Sequence, residues 1–196
     1  MPLAGRKVMI CGKTEKQLIH EIESFHGFAA PGLLIGAFMV DLLYNHIGSS
    51  VEADAVVETR HCLPDAVQML TPCTVGNGWL KIVDFDKFAI TMYDRFTLEG
   101  YRTWLDLDKT KSHPDIYNWF MGLVSKKDLP IETLRRSIFA AGHSVLSIQG
   151  VNVEPDFAKR EKKGKIAVCK KCKEAYSAWQ GDICLACSGK GYYSAI

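Results

Sequence analysis

PGLLIGAFMVDLLYNHIG, residues 31–48, is the stretch on which the fold turns. From Pro31 to Val40 every residue is apolar or glycine, and the first charge is Asp41. Proline fits the first turn of a helix, where its missing N–H costs no hydrogen bond. The stretch therefore predicts a helix that opens at Pro31 and closes at His46-Ile47-Gly48. A helix apolar on nearly every face belongs in the middle of a core, covered on several sides. The apolar run Phe28–Val40 is too short to cross a bilayer, which takes about 20 residues. Upstream, Thr14 and Gln17 have capping-box spacing, and Leu18, Ile22 and Phe25 recur at helical intervals until Gly27 stops them.

Working downstream, residues 51–59 (VEADAVVET) are rich in β-branched residues and read as a buried strand. A helix starts at Pro64 and runs through Leu70, and TPCTVGNGW (71–79) is a loop. Strands are expected over 80–83, 87–93 and 101–107, with Leu98-Glu99-Gly100 in the turn between the last two. Ile116, Trp119, Phe120 and Leu123 mark one further helix. Ile131, Leu134 and Ile138 mark another, with Pro130 at its start. A last strand is expected over 145–153. Strands and helices mix without strict alternation, which predicts an α+β domain on one sheet. The resulting division is a core domain over 1–155, a basic linker over 156–166 and a small C-terminal module over 167–196.

Composition is ordinary for a globular protein, with 47% hydrophobic and 23% charged residues among 196. The net charge of +2 points to no polyanionic partner by itself. Its distribution is uneven: residues 151–196 hold nine Lys/Arg against five Asp/Glu. The N-terminal MPLAGRKVMICGKTEK lacks the apolar core of a signal peptide. Seven cysteines, an odd number with four in paired spacing, suit a reducing compartment and metal ligation better than disulfides. The expectation is a cytoplasmic, non-membrane protein; a homodimer is compatible with the sequence.

The four paired cysteines read Cys169-x2-Cys172-x11-Cys184-x2-Cys187. Two CxxC knuckles supply the four soft ligands that a tetrahedral zinc ion takes, and four thiolates leave no open position, so the expected role is structural. A segment of about 30 residues cannot close a hydrophobic core alone, and metal ligation would account for its folding. Tyr176, Trp179 and Tyr192 are expected to pack around the site. Redox dithiols and an iron–sulfur cluster are the competing readings.

Three further residues form a second, weaker pattern. Cys62 falls at the start of a helix, Cys73 in the glycine-rich loop after it, and His26 at the turn FHGFAAPG. An imidazole brought beside two thiolates would give a three-ligand site with one position open. Spacing alone does not bring them together, and buried free cysteines and hydrogen-bonded histidines are the plain alternative.

A resemblance sharpens this pattern. Phe25-His26-Gly27, Pro31-Gly32, Glu58-Thr59, Cys62, Asp65-Ala66-Val67-Gln68 and Cys73-Thr74-Val75-Gly76-Asn77-Gly78 occur in this order and at these intervals. The combination resembles the FmdE family of formylmethanofuran dehydrogenase components, and the C-terminal cysteines followed by Tyr192-Tyr193 resemble the zinc finger many members append. The resemblance covers nearly the whole chain. It implies a mixed five-stranded sheet flanked by helices, with a treble-clef or zinc-ribbon-like finger. It also implies a metal site at His26, Cys62 and Cys73, with zinc the expected ion and Asp65 a nearby acid or supporting group. Where the family often has His-Gly-His, this chain has His26-Gly27-Phe28. An anaerobic molybdenum or tungsten redox enzyme is the implied partner, although no pterin-binding apparatus is visible in the sequence.

Other candidates are weaker. His61 adjoins Cys62, but neighbours on an extended chain point apart. His20 does not share a helix face with His26. His46, His113 and His143 have no companions in the sequence and read as structural or exposed. The basic run from Lys159 to Lys173 invites a nucleic-acid reading, with a solvated linker preferred. Three functions follow: a metal-binding accessory protein, a metal-dependent enzyme using an open site at His26/Cys62/Cys73, and a nucleic-acid- or protein-binding module acting through the finger.

Overall fold

A computed structural model of the chain describes residues 9–125, 127–160 and 164–193. The chain forms two compact units, which divide between Ala158 and Lys159.

The first unit is built on the expected central helix. Helix α1 (Glu15–His26) is closed at its start by the Thr14–Gln17 capping box and at its end by Gly27, whose φ of 92° lies in the left-handed region. A sharp turn of 120° leads into α2 (Pro31–Ile47). Ten of the first thirteen residues of α2, from Gly32 to Val40 and then Leu43, are buried, as its composition requires. No single helix among the described residues is long and apolar enough to cross a membrane.

Strand β1 (Ala53–Val57) is followed by α3 (Leu63–Leu70) and β2 (Leu80–Ile82). β1 and β2 are parallel, and α3 is the crossover that parallel pairing demands. Strands β3 (Ala89–Asp94), β4 (Glu99–Leu105) and β5 (Leu146–Asn152) continue the sheet antiparallel, in the order β2-β1-β3-β4-β5. α2 packs on β3 and β4, and α3 on β1 and β2. Alternation sends Ala55, Val57, Ile90, Met92 and Leu105 into the helix-side core. The other face carries buried charge. Glu58, just past β1, receives Arg102 Nε at 2.6 Å and Nη2 at 2.8 Å, a bidentate pair.

Between β4 and β5 lie α4 (Leu107–Thr110), α5 (Pro114–Phe120) and α6 (Ile131–Ala141). Several details differ from the sequence expectation, among them Glu99 and Gly100, which lie in β4 and not in the turn before it. Leu107 is not in a strand: Asp106 accepts from the N–H groups of Asp108 and Lys109 and caps α4 there. Leu123 is not on the α5 face, because the helix ends at Phe120 and Gly122 turns the chain with φ 67°, leaving Leu123 exposed.

A helical turn, α7 (Pro155–Ala158), runs across the expected boundary between core and linker, and Glu161, Lys162 and Lys163 lie outside the described residues. The second unit contains a two-stranded antiparallel ribbon of β6 (Ile166–Val168) and β7 (Ala175–Ser177), followed by short helical turns.

Candidate metal centres

The four C-terminal cysteines meet. The turn after β6 presents Cys169 and Cys172, and the segment after β7 presents Cys184 and Cys187. Their sulfurs all lie within 4.8 Å of one another. Zinc–thiolate bonds of about 2.3 Å in a tetrahedron place sulfurs about 3.8 Å apart, and Cys172 Sγ and Cys184 Sγ are separated by 3.8 Å. The spacing therefore fits zinc. The Cys184 N–H donates to Cys169 Sγ at 3.4 Å, and such donors, Cys184's first, pull the Cys169 thiol down to about 6. Its neighbours, Cys184 above all, push Cys187 up to about 12. Four crowded thiols do not shed all their protons without a cation among them, and a divalent ion would remove that obstacle. All seven cysteines are free of disulfides. Tyr176 is half-buried and donates its hydroxyl to the Gly181 carbonyl. Trp179 and Tyr192, expected to pack round the site, are instead 75% and 96% exposed.

In the core unit the three expected ligands separate. Cys62 precedes α3 and Cys73 follows it, and the eight residues of α3 hold the two ends about 12 Å apart. Cys73 is buried in the core, where its thiol donates to the Ala53 carbonyl at 3.3 Å, and burial pushes that thiol up. The expected set of His26, Cys62 and Cys73 is not among the groups that the described residues bring to metal-binding distance. Among the described residues, Cys169, Cys172, Cys184 and Cys187 are the one group of three or more ligand types at metal-binding distances.

His26 and Cys62 lie on neighbouring elements. His26 ends α1, and its Nδ1 is 2.7 Å from Oδ2 of Asp65 in the first turn of α3. That bond holds the ring in one orientation and leaves Nε2 as the atom free to ligate. Cys62 sits at φ 54°, ψ −47°, and the Leu63 N–H donates to the His61 carbonyl at 2.5 Å. This is a γ-turn of the rare, strained kind, centred on a non-glycine residue. It turns the thiol against Gly32: a Cβ on Gly32 would lie 2.8 Å from Cys62 Sγ. Burial first and the Asp65 carboxylate second push this thiol up.

Cys62 and Gly32 contribute to a cleft of about 470 Å³, lined otherwise by Ser125 and by apolar residues including Phe28, Trp119, Leu129 and Ile131. The Phe28 ring, part of this lining, lies 5.3 Å from that of His26. Asp65, which holds His26, and Cys62 thus both belong to the start of α3.

Two family profiles match the chain. One, described as FmdE, Molybdenum formylmethanofuran dehydrogenase operon, covers residues 25–153. The chain belongs to the FmdE family. The second profile, the FmdE treble clef zinc finger, covers residues 160–194. Among solved structures, the crystal structure of a tungsten formylmethanofuran dehydrogenase FmdE-like protein from Syntrophus aciditrophicus is 42% identical, with a TM-score of 0.87. The match covers 97% of this chain and all of that one. A probable S-adenosyl-L-methionine-binding protein of Archaeoglobus fulgidus is 26% identical over 200 residues, 92% of this chain. The chain spans about half of that relative, 54% of its length.

The FmdE resemblance read from the sequence thus holds, and the structure gives its motif residues physical work. Gly32 makes room for the Cys62 thiol, Asp65 holds His26, and Glu58 anchors β1 to β4 through Arg102. Asn77 closes the glycine-rich loop by donating to the Pro72 carbonyl and accepting from Thr74 and Trp79. Phe28, two residues after His26, lines the cleft. Sequence reasoning missed the pairing of Asp41 with His143, 3.0 Å apart. The lone charge in an otherwise apolar helix was its only signal. His46 and His113 also find partners, the Leu42 carbonyl and the Ser144 hydroxyl.

Proposed function

We propose that this chain is a metal-binding accessory protein for a molybdenum or tungsten redox enzyme of the formylmethanofuran dehydrogenase type. The C-terminal zinc is structural. His26 Nε2 and Cys62 Sγ hold a second, exchangeable metal ion at the mouth of the cleft, with zinc the best match for one imidazole and one thiolate. The observation that carries this reading is the 2.7 Å contact from Asp65 to His26 Nδ1, an arrangement that prepares a histidine as a ligand. Two protein ligands leave positions open, which favours delivery or sensing of a metal over tight retention. Asp65 keeps the proton on Nδ1; the raised Cys62 thiol must lose its own proton as the ion arrives, so binding releases a proton. Seven unpaired cysteines support a cytoplasmic setting.

Element-resolved anomalous scattering on zinc-supplemented crystals tests this directly. The expected result is one filled site at the four cysteines and a second at His26 and Cys62. Cys62→Ser and His26→Ala each empty the second site and spare the first, whereas Cys73→Ser leaves both filled. A core unit that stays metal-free after supplementation, or a second ion ligated by Cys73, overturns the reading.

A further inference from the structure

Charge divides sharply where the two units divide. Residues 159–196 hold nine Lys/Arg against three Asp/Glu, and residues 1–158 hold fifteen against nineteen. A zinc bound by four thiolates adds two negative charges to the second unit and still leaves it clearly basic. Some of its lysines are tied down: Lys170 Nζ pairs with Asp182 at 2.7 Å, and Lys173 Nζ donates to the Lys170 carbonyl. Lys165, Lys171 and Lys190 are exposed and make no ion pair among the described residues.

Two of these lysines lie near exposed aromatic side chains. The Ala178 N–H donates to the Lys165 carbonyl at 2.8 Å, which sets Lys165 beside the start of the turn carrying Trp179, itself 75% exposed. Lys190 lies two residues before Tyr192, 96% exposed, and Tyr193, 63% exposed. The two tyrosine rings meet edge to face, 5.2 Å apart. Large aromatics usually lose water on folding. Here three stay exposed, together with the aliphatic Ile166 and Val168 of β6.

We propose that the C-terminal unit binds single-stranded nucleic acid. Lys165, Lys171 and Lys190 contact phosphates, and Trp179, Tyr192 and Tyr193 stack on bases. Positive charge alone would suit any polyanion. Exposed flat rings select a partner with unpaired bases over a duplex, an acidic peptide or an anionic membrane. This surface is independent of the core-domain metal.

The test uses the zinc-loaded full chain and fluorescently labelled single strands of about 20 nucleotides, RNA and DNA in separate arms, at about 50 mM salt. Fluorescence anisotropy is expected to show saturable binding, with log affinity falling against log salt with a slope of about −2 for three phosphate contacts. Trp179→Ala is expected to weaken binding about fivefold or more through lost stacking, and Trp179→Phe to restore most of it. The double substitution Lys165→Glu with Lys190→Glu is expected to weaken it about tenfold or more and to flatten the salt slope. Zinc content by elemental analysis stays at its original value in each variant, which separates lost contacts from lost folding. The proposal is overturned if neither single strand binds saturably, or if Trp179→Ala binds as tightly as the parent. It also fails if duplex DNA, polyglutamate or anionic vesicles compete as well as the single strands.

Discussion

A carboxylate 2.7 Å from His26 Nδ1 decides which imidazole nitrogen carries the proton. Asp65→Asn keeps the shape but weakens that hold, because a neutral amide is a poorer acceptor than a carboxylate. We expect the core-site metal affinity to fall about 10–100-fold, read by competition with a chelator, with the C-terminal zinc unchanged. A second residue-scale effect is at Asp41. Burial pushes its carboxyl up, but hydrogen bonds from His143 and the Cys11 N–H outweigh burial and hold it below the usual value. Burial, then the Asp41 charge, push the Cys11 thiol up to about 12 from an ordinary 9.0. The fold therefore favours the neutral thiol. That stabilisation is complete below about pH 9 and is lost as pH climbs towards 12. Tyr44, raised to about 12 mainly by burial, adds to the same alkaline loss. Urea midpoints between pH 8 and 11 should fall with pH, and Cys11→Ser, which has nothing to titrate there, should shrink the slope.

At the scale of elements, glycines set how closely the helices approach. A Cβ on Gly36 would meet Ala66 Cβ at 2.7 Å and Leu63 Cδ2 at 3.1 Å, so the contact between α2 and α3 depends on its absence. Gly36→Ala is expected to cost about 1–3 kcal/mol, measured by urea denaturation, because two packed helices must separate to admit a methyl group. Gly32→Ala probes function at the same interface. Its methyl group would press on the Cys62 thiol, so the core-site metal should be lost while the C-terminal zinc stays. Survival of full core-site affinity in Gly32→Ala would show that the thiol is not held where the γ-turn puts it.

At the scale of the whole molecule, two units fold by different means. The first buries α2 against a five-stranded sheet in a continuous apolar core. The second has few buried apolar side chains and depends on its four sulfurs. Zinc removal by a strong chelator should abolish hydrogen-exchange protection over residues 164–193 and leave that of β1 to β5 intact. Equal loss in both units would show that the division at Ala158 is not a boundary in stability.

The order and type of the core elements were legible in the sequence because each rests on local rules. Proline opens α2, β-branched residues mark β1, and the Thr14–Gln17 capping box starts α1. The zinc ligands were legible for the same reason, since CxxC spacing brings two sulfurs together within one turn. The mixed sheet was read from the family resemblance, and its register came from tertiary structure. The residues of the proposed core-domain site were named by the sequence, but their arrangement was not. Sequence named His26, Cys62, Cys73 and Asp65, but the length of α3 carries Cys73 away from the other three. The strained γ-turn at Cys62 and the Asp41–His143 pair were also decided by tertiary structure. Contacts between residues far apart in the chain depend on how helices pack over a sheet, and no local periodicity encodes that. The sequence by itself determined which side chains could bind metal; packing decided which of them meet.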